Sequence, residues 1–222
     1  MSLLLDLFIP AKCLFCSRIS SRVCADCSEL VGADPRLVFR NGLVGFSCTS
    51  YTPEAKLLLR SFKELGESSL GGFLASAMVP LLSCFQEEPT LIVPIPSNLE
   101  TLRERGFNPA EVLARELCLH AASLRYENLL YKTRETKDQS KLKPMERLEN
   151  QEGAMMATVG AHRVLLIDDV VTTGATLKTA TRALENAGHS VIGFLTFAET
   201  EAKRCNLTTQ APLPSDGGTS WN

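Results

Sequence analysis

The chain lacks the features that mark secreted, membrane-spanning or strongly charged proteins. Its 222 residues carry a formal net charge of only −2, so bulk charge predicts neither a nucleic-acid nor a membrane partner. No apolar run approaches the roughly 18 residues that a transmembrane helix needs. The apolar segment 1–10 has no basic residue and contains Asp6, which argues against a signal peptide. It fits better as a short amphipathic helix that docks on the protein itself or makes a peripheral membrane contact.

Aromatic residues and histidines are also scarce. Aromatics make up 6% of the chain and there are 3 histidines. No Ser–His or Cys–His arrangement indicates a catalytic nucleophile, and no internal repeat is visible. The hydrophobic fraction of 45% is nonetheless enough for one sizeable core with a small appended module.

Four of the eight cysteines form two CxxC pairs near the N-terminus. They are Cys13, Cys16, Cys24 and Cys27. Two CxxC turns present four thiolates to one tetrahedral ion, so residues 13–27 predict a structural zinc knuckle with no open coordination position. Two disulfides or free thiols are the alternatives. The other cysteines are scattered among apolar neighbours, which favours a reducing cytoplasm over a disulfide scaffold, and we expect a cytoplasmic protein.

One stretch late in the chain combines three features of an anion-binding site. Val164–Ile167 is a short apolar run typical of a buried strand, and Asp168 and Asp169 are expected to end it. Thr172–Thr176 is a turn of hydroxyls with one glycine, Gly174, which lets the backbone approach a ligand closely. Helical spacing follows, so the turn lies at a helix N-terminus, where free N–H groups attract phosphate. The acidic pair suits vicinal hydroxyls or Mg²⁺, and together these features predict a site for a phosphorylated ribose.

A second candidate region surrounds the apolar run 91–96, which predicts a buried strand closed by two prolines. Asn108 and the proline after it predict an N-cap and a helix over residues 109–120. Arg103 and Arg105 stand beside the carboxyl end of this strand, where α/β folds bind ligands. Their forked hydrogen bonds suit a pyrophosphate; a solvent-facing charged loop is the alternative.

The rest of the pattern is that of an α/β protein. Asn41 and Gly42, between two strand-like runs, predict a hairpin turn. A helix is predicted to start at Pro53, and on it Lys63 is interpreted as a solvated charge, with a cation near a phosphate as the alternative. A further helix is predicted over residues 70–85. Alternating strands and helices predict a mostly parallel sheet flanked by helices.

The segment 131–151 is polar, and its basic residues outnumber its acidic ones. So long a segment without hydrophobic periodicity inside a compact domain is either a functional lid or disordered. A lid that closes over a polyphosphate would exclude water and supply positive charge.

Taken together, these motifs resemble a known family. The stretch Leu166–Thr176 is similar to the phosphoribosyl pyrophosphate (PRPP) loop of the type I phosphoribosyltransferases. In chain order, the four-cysteine knuckle, Val93–Pro96, Arg105–Asn108, the segment 134–150 and this loop resemble the ComF family. Its members are competence proteins built from a zinc ribbon and a phosphoribosyltransferase domain. One departure is Pro109, where relatives usually carry Gln.

The resemblance implies roles for individual residues. Asp168 and Asp169 would be catalytic and would hold the ribose hydroxyls, directly or through the Mg²⁺ that accompanies PRPP. The 5-phosphate would be held by Thr172, Thr173, Gly174, Ala175 and Thr176. The pyrophosphate and the lid would involve Pro96, Ser97, Arg103, Arg105, Arg134 and Arg147.

The same resemblance implies three units and a function. Residues 1–35 would form the zinc-binding knuckle with its amphipathic segment, 36–199 a type I phosphoribosyltransferase-like domain, and 200–222 a disordered tail. The protein would bind PRPP and handle incoming single-stranded DNA beside the DNA-uptake machinery during natural transformation. Two alternatives stay open: a non-catalytic adaptor that binds PRPP or single-stranded DNA, and a nucleobase salvage enzyme. The sequence does not indicate the acceptor.

Overall fold

A computed structural model describes residues 11–31, 34–65, 68–121, 123–132 and 155–200. The amphipathic segment 1–10, most of the basic segment with Arg134 and Arg147, and the tail beyond residue 200 lie outside these ranges. What the sequence predicts for these three segments therefore stays a prediction.

A five-stranded, mostly parallel sheet forms the centre of the molecule. Its strands are β1 (Arg36–Arg40), β2 (Leu43–Ser50), β3 (Leu91–Pro94), β6 (Arg163–Val171) and β7 (Ser190–Glu199). They lie in the order β1-β2-β7-β6-β3; β1 and β2 are antiparallel and every other neighbouring pair is parallel. A separate antiparallel ribbon pairs β4 (Leu130–Lys132) with β5 (Met155–Ala157).

The helices lie in connections between strands, except the first, which precedes β1. They are α1 (Ala25–Ser28), α2 (Pro53–Leu65), α3 (Ser68–Met78), α4 (Leu99–Arg105), α5 (Pro109–His120) and α6 (Ala175–Asn186), with 3₁₀ turns at Glu29–Val31 and Val79–Cys84. The predicted bounds of α5 are confirmed. The single helix predicted over 70–85 is wrong: Pro80 lacks an N–H and disfavours helical backbone at the residue before it, so α3 ends and a 3₁₀ turn follows.

The predicted hairpin turn between β1 and β2 is confirmed. Asn41 and Gly42 have φ angles of 52° and 84°, and Arg40 pairs directly with Leu43. Two successive residues with positive φ form the type I′ turn that matches the twist of the flanking strands. The turn fixes the position of Arg40 and Asn41 at the edge of the sheet, next to the candidate site.

Helices cover both faces of the sheet. On one face Ile92, Leu165 and Leu195 belong to a core that includes the buried side of α2, α3 and α5. On the other face Leu166 and Phe194 pack with the buried side of α6 and with the β4–β5 ribbon. Side chains alternate between the two cores along β6 from Val164 to Ile167, as the two-residue period of a strand requires. The predicted α/β layers are therefore confirmed.

The four-cysteine segment belongs to the first of these cores. Cys24, Cys27 and Val31 are buried in the same apolar cluster as Leu58 and Phe62 of α2. The knuckle is thus packed against the sheet's own helix layer, and its packing is continuous with the helix that carries Lys63.

Candidate functional site

The two acidic residues lie within β6, so the prediction that they end the strand is wrong. β6 continues to Val171 because it stays paired with β7, with Asp168 opposite Thr196 and Val171 opposite Glu199. Adjacent strand residues point to opposite faces, so Asp168 and Asp169 leave the strand on opposite sides, and both line one cavity near its carboxyl end.

Asp169 has a lysine as its neighbour, and the charge of Asp168 acts on a second lysine. Asp169 is 7% exposed and its Oδ2 forms an ion pair with Lys63 of α2. The interpretation of Lys63 as a solvated charge is therefore wrong. On the other side, burial lowers the pKa of Lys132 in β4 while attraction to Asp168 opposes that change. The Nζ of Lys132 also donates a hydrogen bond to Asn98.

Asp168 is held in an environment that resists its ionisation. Burial raises the pKa of its carboxyl well above the usual value, and the charge of Asp169 adds to the increase. The backbone N–H of Asp169 donates to Asp168 Oδ1 at 2.9 Å and, with Lys63, acts in the opposite direction. The protein thus neutralises only part of the negative charge of these two adjacent carboxylates at the pocket.

The hydroxyl-rich loop begins directly after β6. Gly174 has φ 76° and is the N-cap of α6, while the Thr172, Thr173 and Thr176 side chains are exposed. Ala175 is the first helical residue, and its N–H donates to Thr173 Oγ1 at 3.4 Å. The predicted turn at a helix N-terminus is therefore present, and free donors of the first helical turn face the loop.

A cavity of about 160 Å³ joins the acidic pair to this helix start. It is lined by Lys63, Ile95, Pro96, Ser97, Arg105, Asn108, Pro109, Ala110, Asp168, Asp169 and Thr176. Thr172, Thr173, Gly174 and Ala175 form the adjoining loop. Arg105 thus lies at the cavity, whereas Arg103, on the same helix, is exposed and is not among the described lining residues. Both arginines belong to α4 and not to a charged loop.

Asn108 has a role that the sequence did not indicate. It stands at the N-cap position of α5 as predicted, but its side chain makes no capping hydrogen bond. Instead Nδ2 donates to the carbonyl oxygen of Ile95 at 3.0 Å, and Oδ1 accepts from Ser97 Oγ at 2.9 Å. Asn108 thereby fixes the bend after β3 that forms one wall of the cavity.

The four N-terminal cysteines form a cluster that fits zinc. Their sulfur atoms lie within 4.8 Å of one another. Cys16 Sγ and Cys24 Sγ are 3.7 Å apart, close to the ~3.8 Å edge expected for a tetrahedral Zn–S₄ site. Burial alone would raise the pKa of the Cys13 thiol. Hydrogen bonds from backbone N–H groups, among them that of Cys16, outweigh burial, and the pKa is lowered to about 6. A four-sulfur set with no open position is structural.

Comparison with known proteins places this architecture in a family. The model of the phosphoribosyl transferase domain matches residues 81–209. Competence protein ComFC of Bacillus subtilis (strain 168) is 32% identical over 188 residues, which cover 79% of this chain and 72% of the relative. The chain belongs to the ComF family. Competence protein ComFC of Streptococcus pneumoniae (strain R6) is 29% identical over 164 residues, 73% of this chain and 66% of the relative.

A solved structure of adenine phosphoribosyltransferase from Leishmania donovani is similar to this ComF chain, with a TM-score of 0.42 and 12% identity. The similarity covers 81% of this chain and 94% of that one. A similarity of this size carries no information about the function of the ComF chain. Within the described ranges, no helix of the ComF chain has the length and apolar character needed to cross a membrane.

The loop of this ComF protein is braced by the β1–β2 hairpin, which lies outside the matched domain. Arg40 Nε donates to the carbonyl oxygen of Thr172 at 2.8 Å, and Asn41 Nδ2 donates to that of Thr173 at 3.1 Å. Arg40 is 9% exposed and pairs with Glu199 Oε2 at 2.6 Å. The buried ion pair thus connects β1, β7 and the loop. Sequence analysis missed Arg40 because its partners are more than a hundred residues away.

The structure changes the reason why Gly174 must be glycine. A Cβ at this position would lie 2.6 Å from Arg40 Cβ and 2.9 Å from Asn41 Nδ2, so the hairpin, and not only a ligand, excludes a side chain. We expect Gly174→Ala to displace the loop and to cost about 1–2 kcal/mol from the left-handed backbone alone. Thermal unfolding measures this cost. Gly42→Ala is a matched control, with positive φ but no atom within 4 Å, and should show the backbone cost only.

Proposed function

We propose that this protein binds PRPP in the cavity beside β6 and is a phosphoribosyltransferase with an acceptor still to be identified. The observation that carries the proposal is that Asp168, Asp169 and Thr176 line one cavity. The acidic pair would accept hydrogen bonds from the ribose hydroxyls, and the loop Thr172–Thr176 would hold the 5-phosphate at the N-terminus of α6. Both lie at the carboxyl ends of parallel strands, where α/β folds bind ligands.

The opposite wall of the cavity suits the pyrophosphate group. Pro96 and Ser97 form a rigid bend there that Asn108 holds in place, and Arg105 adds a guanidinium. Arg103, Arg134 and Arg147 are further candidates, the last two from the basic segment. Mg²⁺ would enter with the pyrophosphate, whose oxygens it prefers as ligands, and would neutralise part of its charge.

The reaction would form a bond from an acceptor to ribose C1 and break the bond from C1 to pyrophosphate. Positive charge develops on the ribose ring as the anionic group leaves. The carboxylates of Asp168 and Asp169 are fixed next to the ring in this arrangement and would stabilise that charge, which is an electrostatic and not a nucleophilic contribution. No protein nucleophile is required.

We further propose that the activity serves natural transformation, because the curated relatives are named competence proteins. Single-stranded DNA and the DNA-uptake machinery are then the partners, and the cytoplasm is the compartment in which PRPP is at hand. A zinc ion in the four-cysteine cluster would stabilise the N-terminal part of the chain.

The experiment is an acceptor screen. Purified protein is incubated with PRPP, Mg²⁺ and, one at a time, nucleobases, amines and single-stranded DNA, and released pyrophosphate is measured. We expect release with one acceptor class and none after replacing both Asp168 and Asp169 with Asn. Binding of PRPP without release from any acceptor would favour the non-catalytic adaptor. Fast turnover with a free nucleobase would favour a salvage enzyme.

A further inference from the structure

We propose that Lys63 is a built-in counter-ion of the ribose subsite, which lets the acidic pair bind the ribose hydroxyls without a metal ion. The inference rests on the proposed function and deepens it. It concerns a residue outside the matched domain of residues 81–209.

The position of Lys63 is that of a ligand-facing group. Its side chain is 27% exposed, and that of its partner Asp169 is 11% exposed. Both line the cavity together with Asp168 and Arg105. A lysine that reached the carboxylate only from solvent would be more exposed, because its charged end would remain in water.

The hydrogen bonds of the acidic pair leave two oxygens for a ligand. Asp168 Oδ1 accepts the Asp169 N–H, and Asp169 Oδ2 is taken by Lys63. Among the described residues, no donor from another residue contacts Asp168 Oδ2 or Asp169 Oδ1, and the two carboxyl groups lie close enough to interact with each other. One open oxygen on each of two adjacent carboxylates matches the two donors of a vicinal diol.

The same arrangement is unsuited to Mg²⁺ on the acidic pair. Mg²⁺ needs near-octahedral oxygen coordination, and one carboxylate oxygen already faces the Lys63 ammonium. A divalent ion on Asp169 would also lie next to that fixed positive charge. Lys63 therefore supplies on Asp169 the positive charge that a metal would otherwise provide there, and Mg²⁺ is left to the pyrophosphate.

Ribose 5-phosphate tests this inference, because it has the hydroxyls and the 5-phosphate but no pyrophosphate to carry Mg²⁺. We expect calorimetry to give the same Kd, within about twofold, in buffer without added Mg²⁺ and in buffer with Mg²⁺. No chelator is used, because it would remove the zinc. Lys63→Met should weaken binding without Mg²⁺ by about tenfold or more, as expected when a buried charge loses its partner. Added Mg²⁺ should restore part of the affinity of Lys63→Met, since Asp169 Oδ2 is then open to the metal. Lys63→Arg keeps the positive charge and should retain binding.

Lys56→Met is the matched control, since Lys56 is an exposed lysine of the same helix, and it should bind as the original protein does. The inference is overturned if the unmodified protein binds ribose 5-phosphate only with Mg²⁺, a result that needs no variant. It is also overturned if Lys63→Met, shown to be folded by circular dichroism, binds ribose 5-phosphate normally in buffer without Mg²⁺. Failure of the unmodified protein to bind either ribose 5-phosphate or PRPP under both conditions would instead contradict the proposed function.

Discussion

Asp168→Asn is expected to weaken PRPP binding while making the free protein more stable. The asparagine keeps an oxygen that accepts the Asp169 N–H, so the local backbone is preserved. Its amide places a donor where a ribose hydroxyl needs an acceptor, and the loss of a charged hydrogen bond predicts about 10- to 100-fold weaker binding. Calorimetry with PRPP and Mg²⁺ measures this loss.

The stability half of this prediction depends on pH. Burial, followed by the charge of Asp169, raises the pKa of Asp168 above its usual value of 3.8, so the folded state favours the protonated form. The stabilisation that comes from protonated Asp168 is complete below the pKa that this carboxyl has in the unfolded chain. It is lost as the pH rises through the higher pKa of the folded protein. At pH 7 Asp168→Asn should therefore raise the Tm, by roughly 2–4 °C for each kcal/mol gained. The difference should shrink towards pH 4.

Asp34→Asn serves as the control for both halves, because Asp34 is an aspartate with a 70% exposed side chain and is not among the residues that line the cavity. It should leave the PRPP affinity and the Tm nearly unchanged. A lower Tm for Asp168→Asn at pH 7 would contradict the description of Asp168 as a destabilising, partly buried charge, and unchanged PRPP affinity would remove it from the site.

Loss of the cysteine cluster is the second large effect that we expect. Cys24 is 5% exposed and shares one apolar core with Leu58 and Phe62 of α2. Cys24→Ser should release zinc and cost about 4 kcal/mol of unfolding free energy, a size typical of a lost structural metal. For a chain of this length the Tm should fall by roughly 10 °C. Metal analysis and thermal unfolding provide the measurements.

Cys84→Ser is the control here, since Cys84 is exposed and lies outside the cluster. It should retain both the zinc and the Tm. We also expect chelation of the metal from the unmodified protein to reproduce the fall in Tm. Full metal occupancy in Cys24→Ser, or a Tm unaffected by chelation, would contradict the assignment of the four cysteines as a structural zinc site.

The parts of the site that could be predicted from the sequence are those encoded by neighbouring residues. A buried strand, two acids, a hydroxyl-rich turn and a helix follow one another within a few residues. Local periodicity and turn chemistry therefore suffice to place Asp168, Asp169 and Gly174 together. The same holds for the hairpin turn at Asn41 and for the paired CxxC motif.

The parts that could not be predicted depend on packing between distant segments. Lys63 has the helical spacing of an ordinary surface lysine, and only the packing of α2 on the sheet brings it to Asp169. Arg40 ends an edge strand, and nothing near it in sequence indicates that it contacts Thr172 and Glu199. Asn108 matches the N-cap pattern, yet its side chain bonds to the preceding loop because Ile95 and Ser97 offer better-placed partners.

Titration of the purified, zinc-loaded protein with PRPP and Mg²⁺ in a calorimeter tests the central claim most directly. The account predicts saturable binding of one PRPP per chain, weakened in Asp168→Asn and unchanged in Asp34→Asn. No measurable heat, together with no PRPP-induced rise in Tm, would contradict it, because a ligand that binds the folded state must raise its stability.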